Sequence, residues 1–294
     1  MASPAQSQCA VGATNVPFGN VDLISGSTFT STGSVSVNCP GGFGSFPFLW
    51  ICTSIGVGAN STSVNNRTMK SGSNTLAYQL YSDSAFTTVW QYTPSTQYSA
   101  PYSNSTGGLS NATVYARIPS GQTSPPGTYT DTYSTTAQAQ VAGNVASSLP
   151  GNCGGGTAAI TFNVTATVIA NCAVGTSTLN FGSTGTLASN VDATSSITIT
   201  CTNTTPYTIG LNAGTGTGAT VAARKMTSGV KTIVYSLYRD SARSLVWGTT
   251  IGTNTVAGTG IGTGQSVTIS GRVGPQSVPG TGTYSDTVIA TVTF

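Results

Sequence analysis

Apolar and polar residues alternate with a period of two along most of this chain. Phe162, Val164, Ala166 and Val168 share one face of the run 161–169, and Ile197 shares a face with Ile199. Ile233, Tyr235 and Leu237 fall together, with Val234 and Tyr238 on the opposite face. The closing segment sets Val288, Ala290, Val292 and Phe294 between threonines and Ile289. Side chains of a strand point to alternate faces, so each run predicts a strand with one face buried. Helical spacing is not sustained anywhere, and glycine or proline interrupts the pattern roughly every ten residues. Short strands punctuated this way predict an all-β fold of antiparallel sandwiches.

The pattern is written twice. Cys9-Ala10-Val11-Gly12 returns as Cys172-Ala173-Val174-Gly175, and Phe18-Gly19 returns as Phe181-Gly182. A second cysteine closes an alternating run in each copy, at Cys39 and Cys201. Tyr78 to Asp83 matches Tyr235 to Asp240, Trp90 matches Trp247, and the Gly-Thr-Tyr-x-Asp-Thr motif occurs at Gly127 and Gly282. Two domains follow, expected at 1–153 and 154–294, with Gly154-Gly155-Gly156 as a flexible hinge. The run 161–169 reads as the first strand of the second domain, with a role in closing the first as the alternative. After its last motif the second copy has only Val288 to Phe294, one strand fewer than the first copy.

Composition narrows the function. The chain has nine lysines and arginines, six aspartates, no glutamate and no histidine. Serine–histidine and cysteine–histidine nucleophiles are therefore absent, and paired-carboxylate chemistry would need Asp22, Asp83 or Asp131 to converge. The chain is not expected to be an enzyme or to hold a metal or other cofactor. Excess positive charge is spread over separate strands of the second copy, which is no nucleic-acid footprint. No apolar run approaches the roughly eighteen residues that span a bilayer. The short polar start, Met1-Ala2-Ser3-Pro4, reads as a mature chain with an added methionine.

Six cysteines, none in Cys-x-x-Cys spacing, favour disulfides and an oxidising compartment. Equivalent pairs would be Cys9–Cys39 and Cys172–Cys201. Cys52 and Cys153 have no counterparts and pair by elimination, closing a long loop worth roughly 4–5 kcal/mol in the chain-entropy picture.

The doubled Cys-x-Val-Gly opening, the second cysteine, the Leu-Tyr-x-Asp segment and the Gly-Thr-Tyr-x-Asp-Thr ending resemble the spore coat U domain family. That family builds the subunits of archaic, Csu-type chaperone–usher pili. Two copies in one chain resemble its two-domain tip adhesins. The resemblance implies two immunoglobulin-like antiparallel β-sandwich domains in tandem, the C-terminal one lacking its last strand. It implies a periplasmic pilus chaperone, an outer-membrane usher and a next subunit that donates the missing strand as partners. It also implies export through the periplasm to an extracellular pilus tip, attachment to an abiotic or host surface, and biofilm formation. A structural spore-coat or fibre cap and a glycan-binding tip lectin are the alternatives.

Three segments elaborate the first copy and are expected to be its binding loops. Phe43, Phe46, Phe48, Leu49 and Trp50 crowd into the first. Such density is hard to bury and marks an interaction site, although Trp50 equally suits the core. Tyr98 and Tyr102 lie in the second, either as a sugar platform or as ordinary loop tyrosines. Val145 and Leu149 lie in the third. Recurrent residues fit structural duty: Tyr129 and Tyr284 as corner tyrosines, Asp83 and Asp240 in turns, Arg117 and Arg272 as sheet braces.

Overall fold

A computed structural model describes residues 10–39, 48–91, 98–103, 108–146 and 156–294, with the side chains of 39, 48–50, 98–103, 108–110, 143–146 and 156 excepted. It divides into two compact units, 1–169 and 170–294. The described residues are all-β, with a single 3₁₀ turn at Leu23–Ser25.

Twelve strands build the first unit: β1 (Ala10–Ala13), β2 (Val16–Val21), β3 (Phe29–Cys39), β4 (Phe48–Ile55), β5 (Arg67–Ser71), β6 (Asn74–Tyr81), β7 (Tyr98–Ser103), β8 (Gly108–Ile118), β9 (Gly127–Tyr133), β10 (Ala139–Ala146), β11 (Gly156–Ala159) and β12 (Phe162–Val168). One sheet runs β1-β3-β8-β6-β5-β9-β12-β2 and the other β11-β10-β4-β7. Val35, Val37, Leu80, Val114 and Ile118 of the first sheet and Ile51, Ile55 and Val141 of the second form one core.

The predicted boundary at 153/154 is corrected to 169/170, and the physical reason is β12. This strand lies in the first unit, antiparallel to β9 from Phe162↔Tyr133 to Val168↔Gly127 and parallel to β2. Phe162, Val164, Ala166 and Val168 are all buried, and the Phe162 ring stacks on Tyr133 at 4.5 Å. The alternation at 161–169 is therefore a strand, as expected, but it closes the first unit instead of starting the second. Each apolar side chain buried there contributes roughly 1.5–3 kcal/mol, with less for Ala166. Just upstream, β11 pairs with β10, so residues 156–168 border both sheets.

Eight strands build the second unit: β13 (Cys172–Thr176), β14 (Val191–Cys201), β15 (Pro206–Leu211), β16 (Arg224–Ser228), β17 (Lys231–Tyr238), β18 (Val256–Thr259), β19 (Gly264–Val273) and β20 (Ala290–Thr293). Its sheets run β13-β14-β19-β17-β16 and β18-β15-β20. Cys172 and Cys201 face each other in register and form a disulfide, as expected. Cys52 is buried and disulfide-bonded. Cys9, Cys153 and the Cys39 side chain lie outside the described residues.

Replacing Phe162 with alanine should destabilise the first unit by about 3–5 kcal/mol, the usual cost of removing a buried ring. Denaturant unfolding should show one early transition and one unchanged transition from the second unit. A single unshifted curve would mean that β12 does not hold the first unit together.

Candidate functional site: an open groove in the second unit

The two units share a frame around one buried arginine each. Arg67 Nε donates to Gly56 O (3.1 Å), and its Nη2 donates to Ile55 O (3.0 Å) and Trp90 O (2.6 Å). Arg224 Nε donates to Asn212 O (2.8 Å), and its Nη2 to Leu211 O (3.0 Å) and Trp247 O (2.7 Å). Each guanidinium thereby pairs carbonyls at the end of a strand in one sheet and beside the tryptophan, groups that burial would otherwise leave unpaired. Burial pushes the Arg224 pKa down. The sequence reading missed both arginines, although their recurrence beside Tyr78/Tyr235 and Trp90/Trp247 was a usable signal.

A carboxylate anchors the next layer. Asp131 accepts from Asn60 N (2.8 Å), Ser61 Oγ (2.8 Å), Tyr78 Oη (2.7 Å) and Thr132 N (3.0 Å). Asp286 accepts from Thr215 N and Thr215 Oγ1 (both 2.8 Å), Tyr235 Oη (2.8 Å) and Thr287 N (2.8 Å). A Cβ at Gly58 or Gly214 would collide with these carboxylates, so glycine permits the close approach. Burial raises the Tyr78 and Tyr235 phenols well above their ordinary range, and the acceptor carboxylate adds to it. The corner tyrosines are as expected, with Tyr129 Oη on Pro125 O and Tyr284 Oη on Gly280 O, both at 2.8 Å. Asp83 and Asp240 accept from the backbone of their own turns, as expected.

The units differ in what lies over this frame. In the first, β12 covers it, and Asp131, Tyr129 and Tyr133 are 0% exposed. In the second, no described strand occupies the corresponding place. The chain at 177–184, which corresponds to β2, and at 286–289, which corresponds to the end of β9, forms no strand. Between them lies a groove of about 480 Å³. Leu179, Phe181, Leu211, Leu237, Ile269 and Val288 give it apolar walls, with Asp286 and Tyr284 at its side. Leu179, Phe181, Tyr284, Asp286 and Val288 are half-buried. This is an apolar floor between two backbone segments that take part in no strand.

The residues expected to bind a surface fall elsewhere. Where three loops were expected, the structure has strand: β4 begins at Phe48, β7 spans Tyr98–Ser103 and β10 runs to Ala146. Leu49 pairs with Val145 on one side and Tyr102 on the other, so residues from all three segments form one row across β10-β4-β7. Phe48 and Trp50 flank that row on β4, while Tyr98 pairs further along, with Thr53. Phe43, Phe46 and Leu149 lie outside the described residues. Among the described residues no three metal-ligating side chains cluster, and no helix is long and apolar enough to cross a membrane.

The model of the Spore Coat Protein U domain matches residues 2–136 and again 158–291. The chain belongs to that family. Its second match begins at 158, so the sequence unit of the second domain includes β12 although the fold places that strand in the first. Protein U of Myxococcus xanthus is 39% identical over 108 residues, 34% of this chain. The chain spans only 59% of that relative's length. Among solved structures, the chaperone–tip adhesion subunit pre-assembly complex CsuC–CsuE of Acinetobacter baumannii pili is similar with a TM-score of 0.56 and 18% identity, over 97% of this chain and 100% of that one. The CupB6 tip adhesin of Pseudomonas aeruginosa covers 97% of this chain and 94% of its own at a TM-score of 0.42 and 11% identity. At 18% identity the likeness to the CsuC–CsuE complex is one of fold.

Acid should weaken the fold in a defined window. Backbone donors hold the Asp83 and Asp240 carboxyls below the ordinary 3.8, and the Arg272 hydrogen bond does the same for Asp192. A depressed pKa stabilises above the unfolded value and is lost as pH falls through the folded value. Urea midpoints should therefore be level down to about pH 4 and drop below it. Asp192→Asn should flatten the drop for the second unit alone.

Proposed function

We propose that this protein is a pilus-tip adhesin of the chaperone–usher type. Its second unit is anchored to the fibre by a strand donated from the next subunit, and its first unit presents the surface-binding end. The observation that carries this reading is internal to the chain. One copy of the frame is covered by a strand that pairs with its walls, and the other copy keeps the same frame with an open apolar groove. Asp286 already has its four hydrogen bonds, so burying it under a strand would leave no unpaired charge acceptor.

The occupant is an extended segment with alternating apolar residues, as β12 is. A periplasmic chaperone would hold the groove first, and the usher would then exchange it for the next subunit. The protein would reside outside the cell, at the pilus tip. The similarity to a solved chaperone–tip adhesion subunit complex supports this arrangement at the level of fold. Attachment and biofilm formation would run through the Val145–Leu49–Tyr102 row, together with Phe43, Phe46, Phe48, Trp50, Tyr98 and Leu149. Apolar burial needs no hydrogen-bond pattern, so abiotic plastic is within reach, and many copies would add avidity. The match to the Spore Coat Protein U domain supports a coat-like structural role as the second reading.

A synthetic peptide with the sequence of residues 160–169 should bind the full chain and raise the melting temperature of the second unit by several degrees. The same peptide with aspartate at the Val164 position should do neither. Failure of the native peptide to bind would remove the donor-strand reading. Separately, Leu49→Asp with Val145→Asp should cut attachment of assembled fibres to polystyrene at least about fivefold, a loss near 1 kcal/mol. Unchanged attachment would leave the coat-like role.

A further inference from the structure

We propose that the outer face of the first unit carries a binding site for a carboxylated saccharide, a uronic acid unit, with Arg117 as its anion ligand. The two units share a strand register at this arginine. Arg272 stands between Asp192 of β14 and Ser236 of β17, and Arg117 stands between Thr30 of β3 and Gln79 of β6. Arg272 grips the Asp192 carboxylate with both prongs of its guanidinium, Nε at 2.7 Å and Nη2 at 2.8 Å. Arg243 approaches the same carboxylate at 3.4 Å. In this unit the arginine does brace the sheet, as its recurrence predicts.

The first unit keeps the arginine and removes the carboxylate. Thr30 stands where Asp192 would be, and Phe86 takes the place of Arg243 in the same turn. The two share a left-handed backbone, with φ of 57° and 58°. The Arg117 guanidinium lies 6.0 Å from the Phe86 ring centre and has no hydrogen bond or ion pair among the described residues. Its five donors face the solvent side of the sheet. Arg117 lines a cavity of about 340 Å³ with Asn65, Asn66 and Tyr81. Both asparagines are exposed, and their side chains make no hydrogen bond among the described residues. Tyr81 and Tyr115 pack edge-on around Phe86 at 5.4 and 6.4 Å.

These groups select a ligand class. The planar guanidinium matches a carboxylate with two parallel hydrogen bonds, as Arg272 demonstrates in the other unit. Aromatic walls beside it attract the positively polarised C–H face of a pyranose ring. Free amides at the rim suit ring hydroxyls. An acidic peptide offers the carboxylate but no rigid ring for the aromatic wall. The site is independent of the groove and of any role in a pilus.

The test is a calorimetric or saturation-transfer titration of the full chain with trigalacturonate, with neutral galactotriose and triglutamate as controls. Saturable binding of trigalacturonate is expected, with neutral galactotriose weaker by at least about tenfold, the scale of a charge-assisted pair, and triglutamate weaker by about fivefold because it has no ring to lie against the aromatic wall. Arg117→Ala should lose a similar factor, and Arg272→Ala should not. Thr30→Asp supplies the internal carboxylate that Asp192 supplies in the second unit, at an exposed position. It should abolish binding while the circular dichroism and melting temperature hold or improve. The proposal is overturned if trigalacturonate does not bind below about 10 mM, if triglutamate binds equally well, or if Thr30→Asp leaves binding intact.

Discussion

A strand bordering a groove carries a row of N–H and C=O groups that need partners, beside apolar side chains that need cover. In the first unit one segment, 156–168, answers both needs. β11 pairs with β10 in one sheet, and β12 fills the gap between β9 and β2 in the other. With β12 in place, Val16, Val21 and Tyr133 are fully buried and the walls are regular strands. The second unit has matching walls without the intervening strand, and those walls have no regular pairing.

The base of the open groove is braced by contacts within the second unit. Arg224 ties four backbone carbonyls together, Trp247 donates to Ile209 O at 2.9 Å, and the Cys172–Cys201 disulfide joins two neighbouring strands. Asp286 and Tyr235 have already exchanged water for each other. Polar groups paired in advance would lower the desolvation cost of the strand addition proposed above, leaving the apolar contacts to dominate. A groove organised in this way suits strand addition better than a flexible one.

Duplication also makes differences between the copies readable. Arg67 and Arg224 keep the same partners, so their role is common to both units. Arg117 and Arg272 keep the same register but not the same partners, because Thr30 and Phe86 replaced Asp192 and Arg243. The row of Val145, Leu49 and Tyr102 sits across three strands whose counterparts in the second unit's smaller sheet are shorter.

Alternation at residues 161–169 and the two sets of motifs were sufficient to establish strands, two units, the corner tyrosines and the Cys172–Cys201 bond. These are local or repeated features, and a period of two or a shared spacing survives in one dimension. The sheet that β12 joins was not legible, because an alternating strand fits equally well beside any partner with a matching apolar face. The same limit left 48–52 open between a loop and the start of a strand, and it hid the strand at 98–103, where proline and aromatic residues resemble a loop until a neighbouring edge supplies hydrogen bonds. The role of Arg67 and Arg224 was not legible, since nothing in a sequence shows four backbone carbonyls converging on one guanidinium. Pairing across the sheets was decided only by the tertiary structure, because backbone hydrogen bonds between strands carry no residue code of their own.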